Sequence, residues 1–329
     1  MASQKLVEPQ AEAIERFRAD LDGLIDAQAP IGIAVSGGPD SLALLALAAA
    51  ARPGLIEAAT VDHALRPESS AEAEMVAKAA KTLGVPHRIL TVEWAKKPES
   101  AIQERARVER YRLLAGWVRE QGLHALVTAH HLDDQAETFM MRLARGAGVR
   151  GLAGMRRLAP VPGSDLALLR PLLGWRRMEL EEICNEFGLT PIDDPSNADE
   201  QFERVRVRRG LAGAGWINSR AIAGSAQNLA EADGALRWAT SQAWERSVTE
   251  EGDGAIVLVP EDMPREIRRR IVLRAIAKLA TEGGGNEMRG RELDRVLGAL
   301  SRGAKATVRG VLCSGGAKWR FAKAPPRRS

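Results

Sequence analysis

Short apolar runs alternate with amphipathic stretches through the first half of the chain. Ile31 to Val35 reads as a strand and is followed by an alanine- and leucine-rich helix, Leu42 to Ala51. Leu55 to Asp62 predicts a second strand, Ser70 to Leu83 a helix, and His87 to Val92 a third strand. Ser100-Ala101-Ile102-Gln103 has the form of a capping box and opens a long helix that runs to about Glu120. Leu123 to Ala129 makes a fourth strand and Leu132 to Arg145 a further helix. Glycines and prolines from Gly146 to Gly163 predict a loop, after which Leu166 to Leu169 adds a fifth strand and Arg176 to Phe187 a helix. This alternation predicts an α/β fold with an open parallel sheet and helices on both faces.

Patterning is weaker beyond Gly210. Ile217, Ile222, Leu229, Leu236, Trp238 and Trp244 are spaced for packing helices, with the tryptophans expected in the core. Gly254 to Pro260 is strand-like, Arg265 to Ala280 is a basic amphipathic helix, and Arg289 to Leu300 is another helix, with a break at Gly283 to Gly285. Thr307 to Leu312 and Trp319 to Ala322 read as strands around a turn at Cys313-Ser314-Gly315-Gly316, and the tail Pro325 to Ser329 as disordered. A length of 329 residues suggests two domains of the usual size, about 100 to 200 residues. The expected division is a catalytic domain over 1–210, a helical packing region over 211–252 and a small α+β region over 253–329.

Ligands of open parallel sheets sit beyond the carboxyl ends of the strands, so the segments after Val35, Val61 and Ala129 are expected to converge. The first is Ser36-Gly37-Gly38-Pro39-Asp40-Ser41. Its glycines permit a sharp turn and let a bulky anion approach main-chain N–H groups, while the following helix start directs free donors at the same spot. Asp40 suits a Mg²⁺ ion travelling with a nucleotide. The plain structural alternative is a turn with Asp40 or Ser41 as helix N-cap. The ending Gly-Lys-Ser/Thr is absent, so this is not a Walker-A loop. The second segment is Asp62-His63, and the third is His130-His131-Leu132-Asp133-Asp134-Gln135-Ala136-Glu137-Thr138. Asp134 and Glu137 share one helix face, with His130 just before it. Packed carboxylates need a cation, either Mg²⁺ or an ammonium. Their structural alternative is an acidic first turn that complements the helix dipole.

Composition narrows the class without naming it. Hydrophobic residues make up 45% and charged residues 27%, as in a globular protein, and Met1 to Gln10 carries neither the basic nor the apolar block of a signal peptide. No apolar stretch approaches membrane-spanning length, so a cytoplasmic protein is expected. Cys184 and Cys313 form no CxxC pair, which argues against zinc, an iron–sulfur cluster or a disulfide framework. The net charge of +4 is unevenly spread: Arg204, Arg206, Arg208 and Arg209 cluster, as do Arg265, Arg268, Arg269, Arg270 and Arg274. Such stripes serve either as polyanion contacts or as solvated helix faces.

The glycine hexapeptide resembles the Ser-Gly-Gly-x-Asp-Ser loop of the N-type ATP pyrophosphatases, the PP-loop superfamily with its adenine nucleotide alpha-hydrolase-like fold. The resemblance sharpens with Val61-Asp62-His63 and Leu65-Arg66, Ala106 to Tyr111, His130 to Thr138, Arg142 to Gly146, Gly151 to Met155, Arg170-Pro171-Leu172-Leu173, and Asp194-Pro195-Ser196-Asn197 with Phe202 and Arg204. Together these blocks resemble the bacterial tRNA(Ile)-lysidine synthetases over about residues 30 to 210.

That resemblance implies a two-step reaction using ATP and Mg²⁺. The C2 carbonyl oxygen of the wobble cytidine, in an isoleucine tRNA with a CAU anticodon, is adenylated with release of pyrophosphate. The ε-amine of L-lysine then displaces AMP to give lysidine, which changes the tRNA from methionine to isoleucine decoding. The family pattern implies nucleotide binding by Ser36, Gly37, Gly38, Pro39, Asp40, Ser41, Asp62 and His63, and metal binding by Asp40 and Asp134. It implies charge stabilisation by Arg107 or Arg110, lysine binding by Asp134 and Glu137, and His130 as base. Arg204 or Arg208 is left to contact the cytidine or the activated oxygen, and the resemblance implies that the small C-terminal α+β region, 253–329, helps to hold the tRNA. Val205 departs from the asparagine often found after the arginine, and Arg105 and Arg112 fall outside the pattern. Competing readings are another ATP-activating enzyme, such as a tRNA cytidine thiolase, an NAD synthetase or an amidotransferase synthetase domain, or a nucleotide- or RNA-binding module without chemistry. The missing CxxC pair weighs against the thiolase. Oligomeric state is open.

Overall fold

The computed structural model describes residues 8–65, 68–94, 100–192, 199–260, 262–280, 288 and 290–325. Arg66, the Asp194–Asn197 block, the Gly283–Gly285 break and the tail from Pro326 lie outside the described residues. Contacts divide the chain into two compact units, Met1–Asn228 and Leu229–Ser329.

The first unit is built on a six-stranded sheet. Its elements are α1 (Glu8–Asp22), β1 (Ile31–Ala34), α2 (Pro39–Ala51), β2 (Ile56–Asp62), α3 (Ser69–Thr82), β3 (His87–Thr91), α4 (Ile102–Glu120), β4 (Ala125–Val127), α5 (Leu132–Ala144), α6 (Val149–Leu152), β5 (Leu158–Pro160), β6 (Ala167–Leu169), α7 (Arg177–Glu186) and α8 (Glu203–Gly213). Strand order is β3-β2-β1-β4-β6-β5, parallel except for β5, which runs antiparallel to β6. The chain moves outward from β1 to β3, then crosses back through α4 to place β4 on the other side of β1. That reversal opens a crevice at the carboxyl ends of β1 and β4, where ligands of such sheets bind.

One sheet face packs on α1, α2, α3 and α7, the other on α4. The α2 helix is buried nearly all round, and each of Leu42, Leu44, Leu45 and Leu47 contributes roughly 1.5–3 kcal/mol by leaving water. Trp117 of α4 lies against Gly32 at the centre of the sheet, where a Cβ would meet the indole at 2.7 Å, so only glycine admits the ring.

The second unit holds the rest of the long helix α9 (Ser219–Ser247) and β7 (Val248–Glu250), β8 (Ile256–Leu258), α10 (Arg265–Leu279), α11 (Gly290–Ser301), β9 (Lys305–Val308), β10 (Val311–Ser314) and β11 (Trp319–Lys323). Its five strands form an antiparallel sheet, β7-β8-β11-β10-β9. Ile271, Val272, Ile276, Leu293, Val296 and Phe321 make a core where α10 packs on β11 and α11 on β9 and β10.

Four expectations are corrected. The long helix begins at Ile102 behind Ala101, which has φ 50°, and no side chain of the Ser100 segment caps it. The stretch from Gly146 to Gly163 contains α6 and β5, because Leu158 and Pro160 close the sheet edge against β6. The strand read over Thr307 to Leu312 is two strands joined by Arg309-Gly310, both with positive φ, and Cys313 lies within β10. Trp238 is 69% exposed, not core, whereas Trp244 packs against the core of the second unit. Leu236, Ala239 and Ala243 face the core of the second unit, and Trp238, two residues on from Leu236, points to the opposite side of α9.

Candidate active site

The glycine loop is organised by a hydroxyl. Ser41 Oγ accepts from the N–H groups of Ser36 and Gly37, each at 3.1 Å, and donates to the Gly38 carbonyl at 3.0 Å. Gly38 caps α2 and Pro39 occupies its first turn, where a missing N–H costs nothing. Gly37 takes φ 89°, and a Cβ there would lie 2.2 Å from Ile192, whose N–H donates to the Gly37 carbonyl at 2.9 Å. The loop shape therefore requires glycine at this position for two reasons.

Asp40, in the first turn of α2, faces the start of α5. One carboxylate oxygen, Oδ2, lies 3.4 Å from His131 Nε2, while Oδ1 is buried without a hydrogen-bond partner among the described residues. His131, 2% exposed, caps α5: its N–H donates to Asp134 Oδ2 at 3.1 Å and its Nδ1 accepts from the Asp134 N–H at 3.4 Å. Its Nε2 also lies 3.6 Å from Asp134 Oδ2. Burial alone lowers the His131 pKa, but the Asp40 contact and the charges of Asp134, Asp40 and Asp133 outweigh it, and the net direction is up. Asp134 is raised chiefly by burial. Asp133 turns away to accept from the Arg177 N–H at 2.8 Å and to pair with Arg176.

His130 faces the opposite environment. Its Nδ1 is 2.9 Å from Thr128 Oγ1, and its pKa lies well below the ordinary value, first through desolvation and then through the charges of Arg170, Arg110, Arg204 and Arg107. The ring is neutral at pH 7 among four guanidiniums. Arg107 and Arg110 sit over the Tyr111 ring at 5.1 and 5.2 Å, and burial lowers the Arg110 pKa. Arg170, just past β6, is buried and donates to the Arg156 carbonyl at 2.8 Å.

One turn further along α5, Glu137 is 2% exposed and doubly engaged by α8. Arg204 Nε donates to Oε2 at 2.7 Å and Arg208 Nε to Oε1 at 2.6 Å, with Arg204 Nη2 also 3.4 Å from Asp134. Asp62 is turned into its own loop, where Oδ1 accepts from the Ala64 N–H at 2.8 Å and the Ser69 hydroxyl at 2.6 Å. His63 has a pKa lowered by burial and then by Arg110, and its Nδ1 is buried without a partner among the described residues.

The strand ends thus bring together Asp40 and Asp134 through His131, and Glu137 with Arg204 and Arg208. His130 is surrounded by Arg107, Arg110, Arg170 and Arg204. Sequence reasoning quoted His131 and Arg170 within blocks of the family pattern but gave neither a role at the site. The signal for Arg170 was present, since it follows a parallel strand as the other segments do, whereas a His-His pair does not say which ring will face the acids. Among the described residues, no group of three or more His, Cys, Asp or Glu side chains is disposed to hold a metal alone. No described helix is long and apolar enough to cross a membrane.

The PP-loop domain family model matches residues 8–214, and with it comes use of ATP. The fold is similar to that of the U34-tRNA thiolase NcsA of Methanococcus maripaludis, with a TM-score of 0.56 at 16% identity over 68% of this chain and 80% of that one, a likeness of fold alone. The tRNA(Ile)-lysidine synthase of Novosphingobium aromaticivorans is 47% identical over 96% of this chain and 95% of its own length. The enzyme of the same name from Zymomonas mobilis is 43% identical over 91% and 89%. With similarity of this extent running through both units, the chain belongs to the tRNA(Ile)-lysidine synthase family.

Proposed function

We propose that this protein ligates L-lysine to C2 of the wobble cytidine in isoleucine tRNA bearing a CAU anticodon, acting in the cytoplasm on ATP, lysine and tRNA. The observation that carries the reading is the neutral His130 ring, set among guanidiniums one residue from the acidic cluster of Asp40, His131 and Asp134. An enzyme that first gathers phosphate charge and then takes a proton from an amine needs both kinds of surroundings within one crevice.

In the first step the cytidine O2 forms a bond to the α-phosphorus while the bond to pyrophosphate breaks. The Ser36, Gly37 and Ser41 N–H groups are used within the loop, which leaves the Gly38 and Asp40 N–H groups for the phosphates, and Arg107 and Arg110, with Arg170 beside them, face the charge that develops on pyrophosphate. The buried, unpartnered Oδ1 of Asp40 fits a Mg²⁺ ion shared with the nucleotide, which when bound neutralises phosphate charge. Asp62 and His63 border the same crevice from β2.

In the second step the lysine amine forms a bond to C2 and AMP departs. Asp134 and Glu137 receive the incoming ammonium, with Arg204, whose side chain is 42% exposed, moving off them toward the base or its activated oxygen. His130, held neutral, takes the proton that the amine must lose. Arg208 stays on Glu137 and holds the carboxylate in place.

The test is ATP–pyrophosphate turnover on unmodified CAU isoleucine tRNA, with and without labelled lysine, followed by nucleoside analysis. Label in a modified cytidine is the expected result. Pyrophosphate release with no label transferred would move the function to another nucleophile.

A further inference from the structure

The crevice holds its arginines in two ways. Arg204 and Arg208 are tied to Glu137, which takes up their Nε–H donors. Arg107, Arg110 and Arg170 have no such anchor. Among the described residues no carboxylate pairs with any of them, and the side chains that bear on Arg110 and Arg170 are Arg107 and Tyr111. Guanidiniums crowded together without an anion repel one another, so a neutral group has to gather them.

Tyr111 is that group. It is 1% exposed and belongs to the apolar core between α4 and the sheet, with Leu114, Trp117 and Leu168, so its ring is a fixed seat. Arg107 precedes it by one helical turn and lies 5.1 Å from the ring centroid, and Arg110, its neighbour in the chain, lies at 5.2 Å. Burial lowers the pKa of Arg110 and of Arg170, and the Tyr111 phenol, acting on both, opposes that shift. Its oxygen and Arg170 Nε are nonetheless buried without hydrogen-bond partners among the described residues. An aromatic face attracts a guanidinium without taking its N–H groups, whereas a carboxylate binds two of them and competes with any phosphate. The cluster is therefore assembled with donors to spare.

We propose that Tyr111 is a positioning residue for the first step: its ring and hydroxyl hold the guanidiniums of Arg107, Arg110 and Arg170 together, donors free, where pyrophosphate leaves ATP. The proposal rests on the reading that these arginines meet pyrophosphate, and adds the residue that lets three of them wait there uncompensated. Tyr111 acts through the arginines, since its own oxygen is covered. Departing pyrophosphate gains charge as the bond breaks, so guanidiniums gathered beforehand act chiefly on the transition state.

Pyrophosphate release on a CAU isoleucine tRNA transcript, and lysine transfer from the adenylated transcript in a single turnover, are measured separately. Tyr111→Phe keeps the ring and is expected to slow pyrophosphate release about threefold, and Tyr111→Leu, which removes the seat, about 10²-fold, both through kcat with the KM for ATP within about twofold of the unaltered value. Lysine transfer is expected to keep its rate in both variants. A role confined to packing lowers both steps and Tm together; that outcome, or equal pyrophosphate release in all three proteins, overturns the proposal. A second readout uses the unaltered sequence. Tyr111 is the only tyrosine in the chain, so labelling with 3-fluorotyrosine gives a single fluorine resonance. It is expected to shift saturably on titration with pyrophosphate as the guanidiniums turn toward the anion, and a resonance that stays fixed once calorimetry shows pyrophosphate bound overturns the proposal. This titration needs neither tRNA nor lysine, so it stands if the lysidine chemistry fails; lysidine formed at the normal rate by Tyr111→Leu leaves that chemistry standing and removes this role.

Discussion

Two adjacent imidazoles, His130 and His131, hold opposite charge preferences because their rings look at opposite surroundings. His131 caps α5 and lies between carboxylates, which draw a proton onto it, whereas His130 is desolvated among arginines that repel one. The linkage sign for His130 follows. Its folded pKa lies below the ordinary 6.5, so on acidification the unfolded chain takes up a proton that the folded site refuses, and stability falls. His130→Gln lacks that penalty. Its Tm is expected to drop less than that of the unaltered protein between about pH 7.5 and about pH 5.5, and parallel Tm curves would refute the assignment. Lysine transfer by the same variant is expected to fall by about 10²-fold or more, as for loss of a general base, with pyrophosphate release retained. Asp40→Ala is expected to abolish pyrophosphate release while tRNA binding stays near normal; loss of both together would sink the placement of metal at Asp40. At this scale the glycine loop and the acids were readable from sequence because their geometry is local. The choice between two histidines was not, since it depends on which ring the start of α5 turns inward.

Elements carry the site through their packing, and the α5–α8 pair shows how. Glu137 on α5 binds two arginines of α8, so the helix that supplies Arg204 is fixed by a carboxylate it also covers. Glu137→Gln leaves two guanidiniums without their anion. Because the two arginines are 42% and 32% exposed and water screens them, the expected cost is about 1–3 kcal/mol. Hydrogen exchange should show α8 loosening while α2 and α4 stay protected. An unchanged α8 would mean that apolar packing, such as that of the buried Val205, holds the helix without the ion pairs. Parallel strands and their helices were legible because each is an apolar run with a clear start and stop. The hairpin at Arg309-Gly310 escaped notice because arginine is an unusual first residue for a turn with two positive φ angles, a position where asparagine or aspartate gives the familiar signal. Trp238 was misplaced for a related reason: an apolar residue at near-helical spacing says little until the buried face is known.

For the whole molecule, the apolar pattern forecast an open parallel sheet, and the blocks from the glycine loop to Arg204 forecast the family. The antiparallel sheet of the second unit was seen only in pieces, since short strands with three to five residues offer little periodicity. Each unit has its own apolar core. Scanning calorimetry is therefore expected to give a calorimetric enthalpy larger than the van't Hoff value, and equality of the two would show that the units melt as one. The strand order has a further effect, which acts before the protein ever meets a substrate. The central strand β1 pairs with β2 on one side and β4 on the other, yet β4 leaves the ribosome about ninety residues after β1. At synthesis rates of about 5–20 residues per second, the innermost edge of the sheet stays unpaired for roughly 5 to 20 seconds. The same crossover that creates the ligand crevice thus obliges the nascent chain to carry an open, fully apolar strand edge through about a quarter of its synthesis, a window in which chaperones or neighbouring nascent chains can reach it.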